Sequence, residues 1–232
     1  MNCARRLLVA LACAAACHAA QADRSRLADD ADVVEAGDCE VETAFERQSA
    51  RAAAPQREAS IQFGCGIGWR TELVLAVARR HSDAAREEAI GVEARTSLRE
   101  RSSGRIGWTL AYGIGAERGG GRGPWRRNEQ FVAIEATHQP ERAWLMEARL
   151  GTARDLVARS DRTLWALAAE HTVTETVEVR AEVGGDDRSR PLLSLGLRYR
   201  VWPERAAVTL SWAAGMGPLR ERRLGLGVTF EF

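Results

Sequence analysis

Beyond its first 22 residues, the chain's residues with chemistry to offer are two of its five cysteines, three of its four histidines and a dense mixture of Arg with Glu and Asp. His81, His138 and His171 stand apart from Cys, Asp or Glu at metal-ligand spacing, so no metal site is expected. His81-Ser82 is a suggestive dipeptide for a Ser/His/carboxylate hydrolase, but such a triad must converge on one surface. A polar loop of mixed charge is the plainer reading, so no catalytic residue is assigned and the chain is not expected to be an enzyme. Gly119-Gly120-Gly121-Arg122-Gly123 with Arg126 and Arg127 lacks the Gly-Lys-Ser/Thr ending and the following helix of a phosphate loop. Those Arg residues suit lipopolysaccharide phosphates instead. Asp29, Asp30 and Asp32 lack the Gly turn and distal Glu of a calcium loop. All 33 basic residues are Arg, which excludes Schiff-base and phosphate-loop Lys chemistry. Against 32 acidic residues the formal net charge is +1, so nothing electrostatic favours nucleic acid. No cofactor is implied.

The N-terminus sets the compartment. Arg5 and Arg6 precede an apolar run from Leu7 to Ala16, and Ala20-Gln21-Ala22 is an A-x-A cleavage site. Residues 1–22 therefore read as a secretory signal peptide, too short to span a bilayer. A lipoprotein site at Cys13 or Cys17 is the alternative, without the usual Leu three positions earlier. Residues 23–36 then form a periplasmic leader and 37–232 one domain.

Four segments within that domain repeat a turn holding Glu followed by apolar/polar alternation. They begin at Gly68, Gln139, Val173 and Val201, with Glu72, Glu141, Glu175 and Glu204 as the turn residues. A period of about 30 to 35 residues fits two strands and two connections. Reading outward predicts strands near 37–48, 56–67, 72–81, 87–98, 104–116, 128–138, 142–152, 162–172, 175–184, 192–201, 206–215 and 222–232. Val177, Val179, Ala181 and Val183 alternate with Glu178, Arg180 and Glu182, a period of two that excludes a helix. Phe131 and Leu164 break the pattern by falling on the polar side. Connections at 49–55, 82–86, 117–127, 153–161, 185–191 and 216–221 are expected to be longer than the Glu turns. Short turns on one side and longer loops on the other describe an outer-membrane barrel, with the short turns facing the periplasm. The expected fold is all-β: a single antiparallel up-and-down transmembrane barrel of about twelve strands, with ten as the alternative.

A soluble lipocalin-like barrel alternates in the same way. Two features favour the membrane. The chain ends Leu224-Gly225-Leu226-Gly227-Val228-Thr229-Phe230-Glu231-Phe232, which resembles the C-terminal insertion signal of bacterial outer-membrane barrels, with Phe230 and Phe232 as its aromatic residues. Trp69, Trp108, Trp144 and Trp202 sit near short turns, and Trp165 and Trp212 towards the opposite strand ends, as two aromatic girdles would. The expected partners are outer-membrane lipid, lipopolysaccharide and the barrel-insertion machinery; oligomeric state is left open.

The stretch Asp29-Asp30-Ala31-Asp32-Val33-Val34-Glu35-Ala36-Gly37-Asp38-Cys39-Glu40-Val41-Glu42 resembles the opening of a proteobacterial outer-membrane family labelled transporters of the meta-pathway of phenol degradation. The resemblance lies in the Asp-Asp-Ala entry and the Gly-x-Cys-x-x-Glu start of the first strand. It implies passage of small, often aromatic, molecules. The turns depart from that family, using Trp-Arg-Thr-Glu or Pro-Glu-Arg in place of Thr-Asp-Arg-like sequences.

The expected function is a passive channel or transporter for small molecules; the alternative is a closed barrel with a structural or surface-interaction role. Parity assigns Glu40, Glu42, Glu93, Arg95, Glu147, Arg149, Glu178, Arg180, Glu182, Arg198 and Arg200 to the lumen, where neighbouring strands can pair opposite charges. Removing the signal leaves Cys39 and Cys65 in an oxidising compartment. If the first two strands form a hairpin centred near residue 52, residue i faces 104 − i, and Cys39 lies opposite Cys65 on the lipid-side face. A disulfide is expected there; a register shifted by two would leave both thiols reduced.

Overall fold

Alternation of this kind is satisfied by a sheet that closes on itself, and the computed structural model is such a barrel. It describes residues 32–232 except 51–52, 84, 103, 121–122, 204 and 218–220. Residues 1–22, expected to be a signal peptide, and Asp29, Asp30, Gly121, Arg122 and Glu204 lie outside the described residues. Twelve strands follow in order: β1 (Cys39–Ala50), β2 (Ala53–Gly68), β3 (Thr71–Ser82), β4 (Arg86–Arg99), β5 (Gly107–Gly119), β6 (Arg126–Glu141), β7 (Trp144–Asp155), β8 (Ser160–Thr174), β9 (Val177–Asp186), β10 (Leu192–Trp202), β11 (Ala206–Gly215) and β12 (Arg222–Glu231). Each pairs antiparallel with its sequence neighbours, and β1 closes the ring on β12. Closure leaves no sheet edge, the condition for placing strands in hydrocarbon, where water cannot satisfy backbone N–H and C=O groups. The seam runs to the end of the chain: the Cys39 N–H donates to the Phe232 carbonyl at 2.8 Å and the Phe232 N–H to the Cys39 carbonyl at 2.9 Å.

Parity then separates the faces. Outward-facing Phe45, Ile61, Val77, Tyr112, Ile134, Leu167, Leu197 and Leu226 are exposed, making an apolar belt. The buried apolar positions of the inner wall are almost all Ala, including Ala76, Ala78, Ala89, Ala111, Ala133, Ala153, Ala166 and Ala207. Small inner side chains leave the lumen axis to longer charged ones.

Two expectations need correction. Glu72 is not a turn residue. The turn before it is Trp69-Arg70, both at positive φ (52° and 58°), and Glu72 is already inside β3 with its carboxylate in the lumen. All but one of the longer loops are also shorter than expected, because the strands run further: 51–52 and 83–85 connect the first two of these hairpins, whereas the last connection, 216–221, has the expected bounds. The longest connection, 100–106, lies on the turn side.

Cys39 and Cys65 are register partners and form a disulfide, with Cα atoms 4.2 Å apart. It ties β1, the strand that closes the seam, to β2. Closing 26 residues stabilises the folded chain by about 3–4 kcal/mol through loss of unfolded-state entropy. The Cys39→Ser/Cys65→Ser variant should refold into vesicles with a lower urea midpoint worth up to about that much; an unchanged midpoint contradicts the clamp.

Candidate functional site: a charge-filled lumen

The register that brings Glu72 opposite Arg95 also places Glu135 opposite Arg149. Arg95 Nη1 donates to Glu72 Oε2 at 3.2 Å, and its Nη2 to Glu135 Oε2 at 3.1 Å. Arg149 approaches the other oxygen of Glu135 at 3.4 Å. Glu72 and Glu135 are 1% and 0% exposed. A second cluster joins Arg180 to Glu147, Glu182 at 3.4 Å and Glu170 at 3.6 Å. A third joins Glu178 to Arg198 at 3.9 Å and to Arg200, with Glu231 at 3.6 Å from Arg198. Glu40, Glu42 and Glu93 complete the inward set.

The sequence-derived lumen residues thus all lie on the inner face, and most of them meet in these clusters. Glu72, Glu135, Glu170 and Glu231 were missed as members. Phe131 explains why the sixth strand was hard to read: it does point inward. Its ring lies under the Arg149 guanidinium at 5.2 Å and over Gly113, where an added Cβ would stand 2.3 Å from the ring. The apolar residue at a polar position and the glycine at its cross-strand partner are one feature.

The lumen is unequal along its length. At the turn end the clusters leave a void of about 30 Å³ beside Arg180, Ser194 and Thr209, room for a water or two. Towards the loop end it opens into a cavity of about 780 Å³ bordered by Arg80, Glu129, Phe131, Arg162, Asp186 and Arg223. The turn-end mouth is also covered from within. Ala36 bridges Gly66, and an added Cβ on inward-facing Gly66 would meet the Glu35 and Val34 carbonyl oxygens at 2.0 and 2.4 Å. At the same end Arg101 lies against inward-facing Gly107, and Asp32 pairs with Arg101, joining the two segments.

Of the other chemistry-bearing residues, His81 is exposed on the outer face while the neighbouring Ser82 turns inward. Alternation therefore separates the suggestive dipeptide. His138 and His171 face outward, His171 edge-on to Trp144 at 4.4 Å. No metal-holding group of His, Cys, Asp and Glu occurs among the described residues. Trp69, Trp108, Trp144 and Trp202 lie at the turn end, and Trp165 and Trp212 in the loop-end half. Phe230 is on the outer face and pairs with Val41, and Phe232 packs against Phe63 with centroids 6.4 Å apart.

Removing Arg95 would take the guanidinium from buried Glu72 and one of two from buried Glu135. Arg95→Met should cost about 3–5 kcal/mol of unfolding free energy. Arg154→Met, which breaks the exposed pair with Asp161, should cost less than about 1 kcal/mol. Equal effects in urea titrations would show that the lumen clusters are not buried pairs.

Known structures share this architecture. The KdgM porin in complex with disordered oligogalacturonate is 11% identical, covers 83% of this chain and 99% of its own, and superposes with a TM-score of 0.62. The COG4313 outer membrane channel from Pseudomonas putida F1 is 10% identical, covering 91% and 100%, with a TM-score of 0.55. Outer membrane phospholipase A from Escherichia coli is 12% identical, covering 88% and 98%, with a TM-score of 0.51. At these identities the likeness is one of fold: a bacterial outer-membrane β-barrel, a fold shared by channels and by an enzyme. No curated protein matches the sequence. A family model matches residues 8–232, and the chain belongs to that family, described as uncharacterised conserved protein UCP029691.

Proposed function

We propose that this barrel is a passive channel or transporter for small molecules in the bacterial outer membrane. The observation that carries the reading is the 780 Å³ charged cavity at the loop end of the lumen. A barrel of eight strands has an interior that side chains can fill; twelve strands enclose more space, and here that space is lined with Arg and Glu. The channels among the structural neighbours support the same reading. In this account residues 1–22 direct export and are cleaved, and 23–36 form a leader on the periplasmic side, where the short turns lie. Phe230 and Phe232 mark the C-terminal strand for the insertion machinery, and the two Trp groups anchor the interfaces. The resemblance of Asp29–Glu42 to transporters labelled for phenol degradation makes small aromatic molecules the first solutes to try. No catalytic step is proposed.

A second reading, a closed barrel with a structural or surface-interaction role, is favoured by one observation: the ion-pair clusters and the 32–36 segment fill the turn-end half. The two readings separate in planar bilayers. The channel reading expects small, reproducible conductance steps from the wild type. Gly66→Leu, whose side chain takes the place of the Val34–Glu35 backbone, should give larger ones. Silence from both proteins at high loading, with the heat-dependent gel shift intact, selects the closed barrel.

A further inference from the structure

We infer that the outer face of β12, β1 and β2 at the loop end is a binding site for the phosphate groups of an outer-leaflet glycolipid. The inference rests on the reading above that the loop end faces away from the cell. Arg47 of β1 stands directly opposite Arg57 of β2, and Arg57 opposite His81 of β3. Two positions from Arg47, Ser49 faces Arg222 of β12. Arg47, Arg57 and Arg222 are exposed, on the face that carries Phe45, Ile61 and Leu224. Like charges directly opposite across an antiparallel pair destabilise it.

No other two Arg residues are register partners among the described strands, and like-charge opposites Glu46/Glu58 and Glu40/Glu231 face the lumen, where Arg223, Arg80 and Arg198 pair with Glu46, Glu58 and Glu231. Inward Arg95, Arg149, Arg180, Arg198 and Arg223 each lie within ion-pair distance of a carboxylate. On the outer face one strand pair away, Arg79 donates to Glu88 at 2.8 Å, and Arg118 bonds the same carboxylate. Arg47, Arg57 and Arg222 have no carboxylate partner among the described residues. Towards the turn end the same face becomes apolar through Phe45, Val41, Ile61 and Phe63. The three guanidiniums therefore sit where the acyl-chain belt gives way to polar headgroups. That is the level at which a phosphorylated glycolipid presents its anions. Guanidinium binds phosphate through two parallel N–H donors, and an anion between Arg47 and Arg57 converts a repulsive pair into a bridged one.

The test uses the full folded chain in nanodiscs, with binding of bis-phosphorylated lipid A and of its dephosphorylated form measured by native mass spectrometry. The wild type should prefer the phosphorylated lipid. In Arg47→Gln/Arg57→Gln/Arg222→Gln, affinity for it should fall by about a hundredfold, at roughly a factor of five per Arg. Arg154→Gln, on the far side of the barrel, should bind as the wild type does. Equal binding of the two lipids by the wild type, or full retention by the triple variant, overturns the proposal. The heat-dependent gel shift reports that each variant is folded. Orientation is read separately, from labelling of Ala85→Cys by an impermeant maleimide on intact cells. Labelling without lipid discrimination sinks the site alone, whereas lipid discrimination without labelling sinks the orientation.

Discussion

Closure of the sheet is the constraint on which the rest of this structure depends. Strands surrounded by hydrocarbon must exhaust their backbone hydrogen bonds on one another, and a ring of strands does so without leaving an edge. Once the ring is closed, every residue points either to lipid or to the lumen, and a slip of one position would turn a whole strand inside out. With Arg, Asp and Glu making up most of the polar residues, the inner face becomes an array of charge that must neutralise itself. Glu72, Arg95, Glu135 and Arg149 do this across four strands.

The energetics of that array set how the barrel can work. Each buried carboxylate has lost its hydration, and a guanidinium within ion-pair distance offsets the loss only while it remains in place. Inner-wall alanines leave room beside the strands, and the long side chains reach over them to partners one or two strands away. At the turn end this filling is nearly complete and residues 34–36 lie against it; at the loop end the same chemistry lines an open cavity. A solute would cross by exchanging its own polar contacts for those of the clusters, and a barrel that never exchanges them is shut.

Much of this was legible in the sequence, since period-two alternation is a local signal and closure follows from it. The Cys39–Cys65 bridge needed one further step, a hairpin centre from which the register could be counted. Three features stayed out of reach for one reason: each depends on a contact far away in the chain. Glu72 looked like part of a repeated turn, because the neighbour that draws it into the lumen is Arg95 on the next strand. Phe131 broke its strand's pattern until Gly113, eighteen positions earlier, was seen to make room for it. The fold of residues 32–36 into the mouth turns on the missing side chain at Gly66, which sequence alone reads as a generic glycine. Five of the six longer connections were overestimated because strand ends beyond the apolar belt carry polar residues, which resemble loops.

The central claim is that alternate residues divide between lipid and a filled, charge-paired lumen. Spin labels placed one at a time from Leu73 to Ala78 in β3, on a cysteine-free background in lipid vesicles, test it most directly. Labels at 73, 75 and 77 should relax with lipid-soluble oxygen, and those at 74, 76 and 78 should be shielded from both oxygen and a water-soluble nickel chelate. A profile with no period of two, or with its phase reversed, would contradict the account.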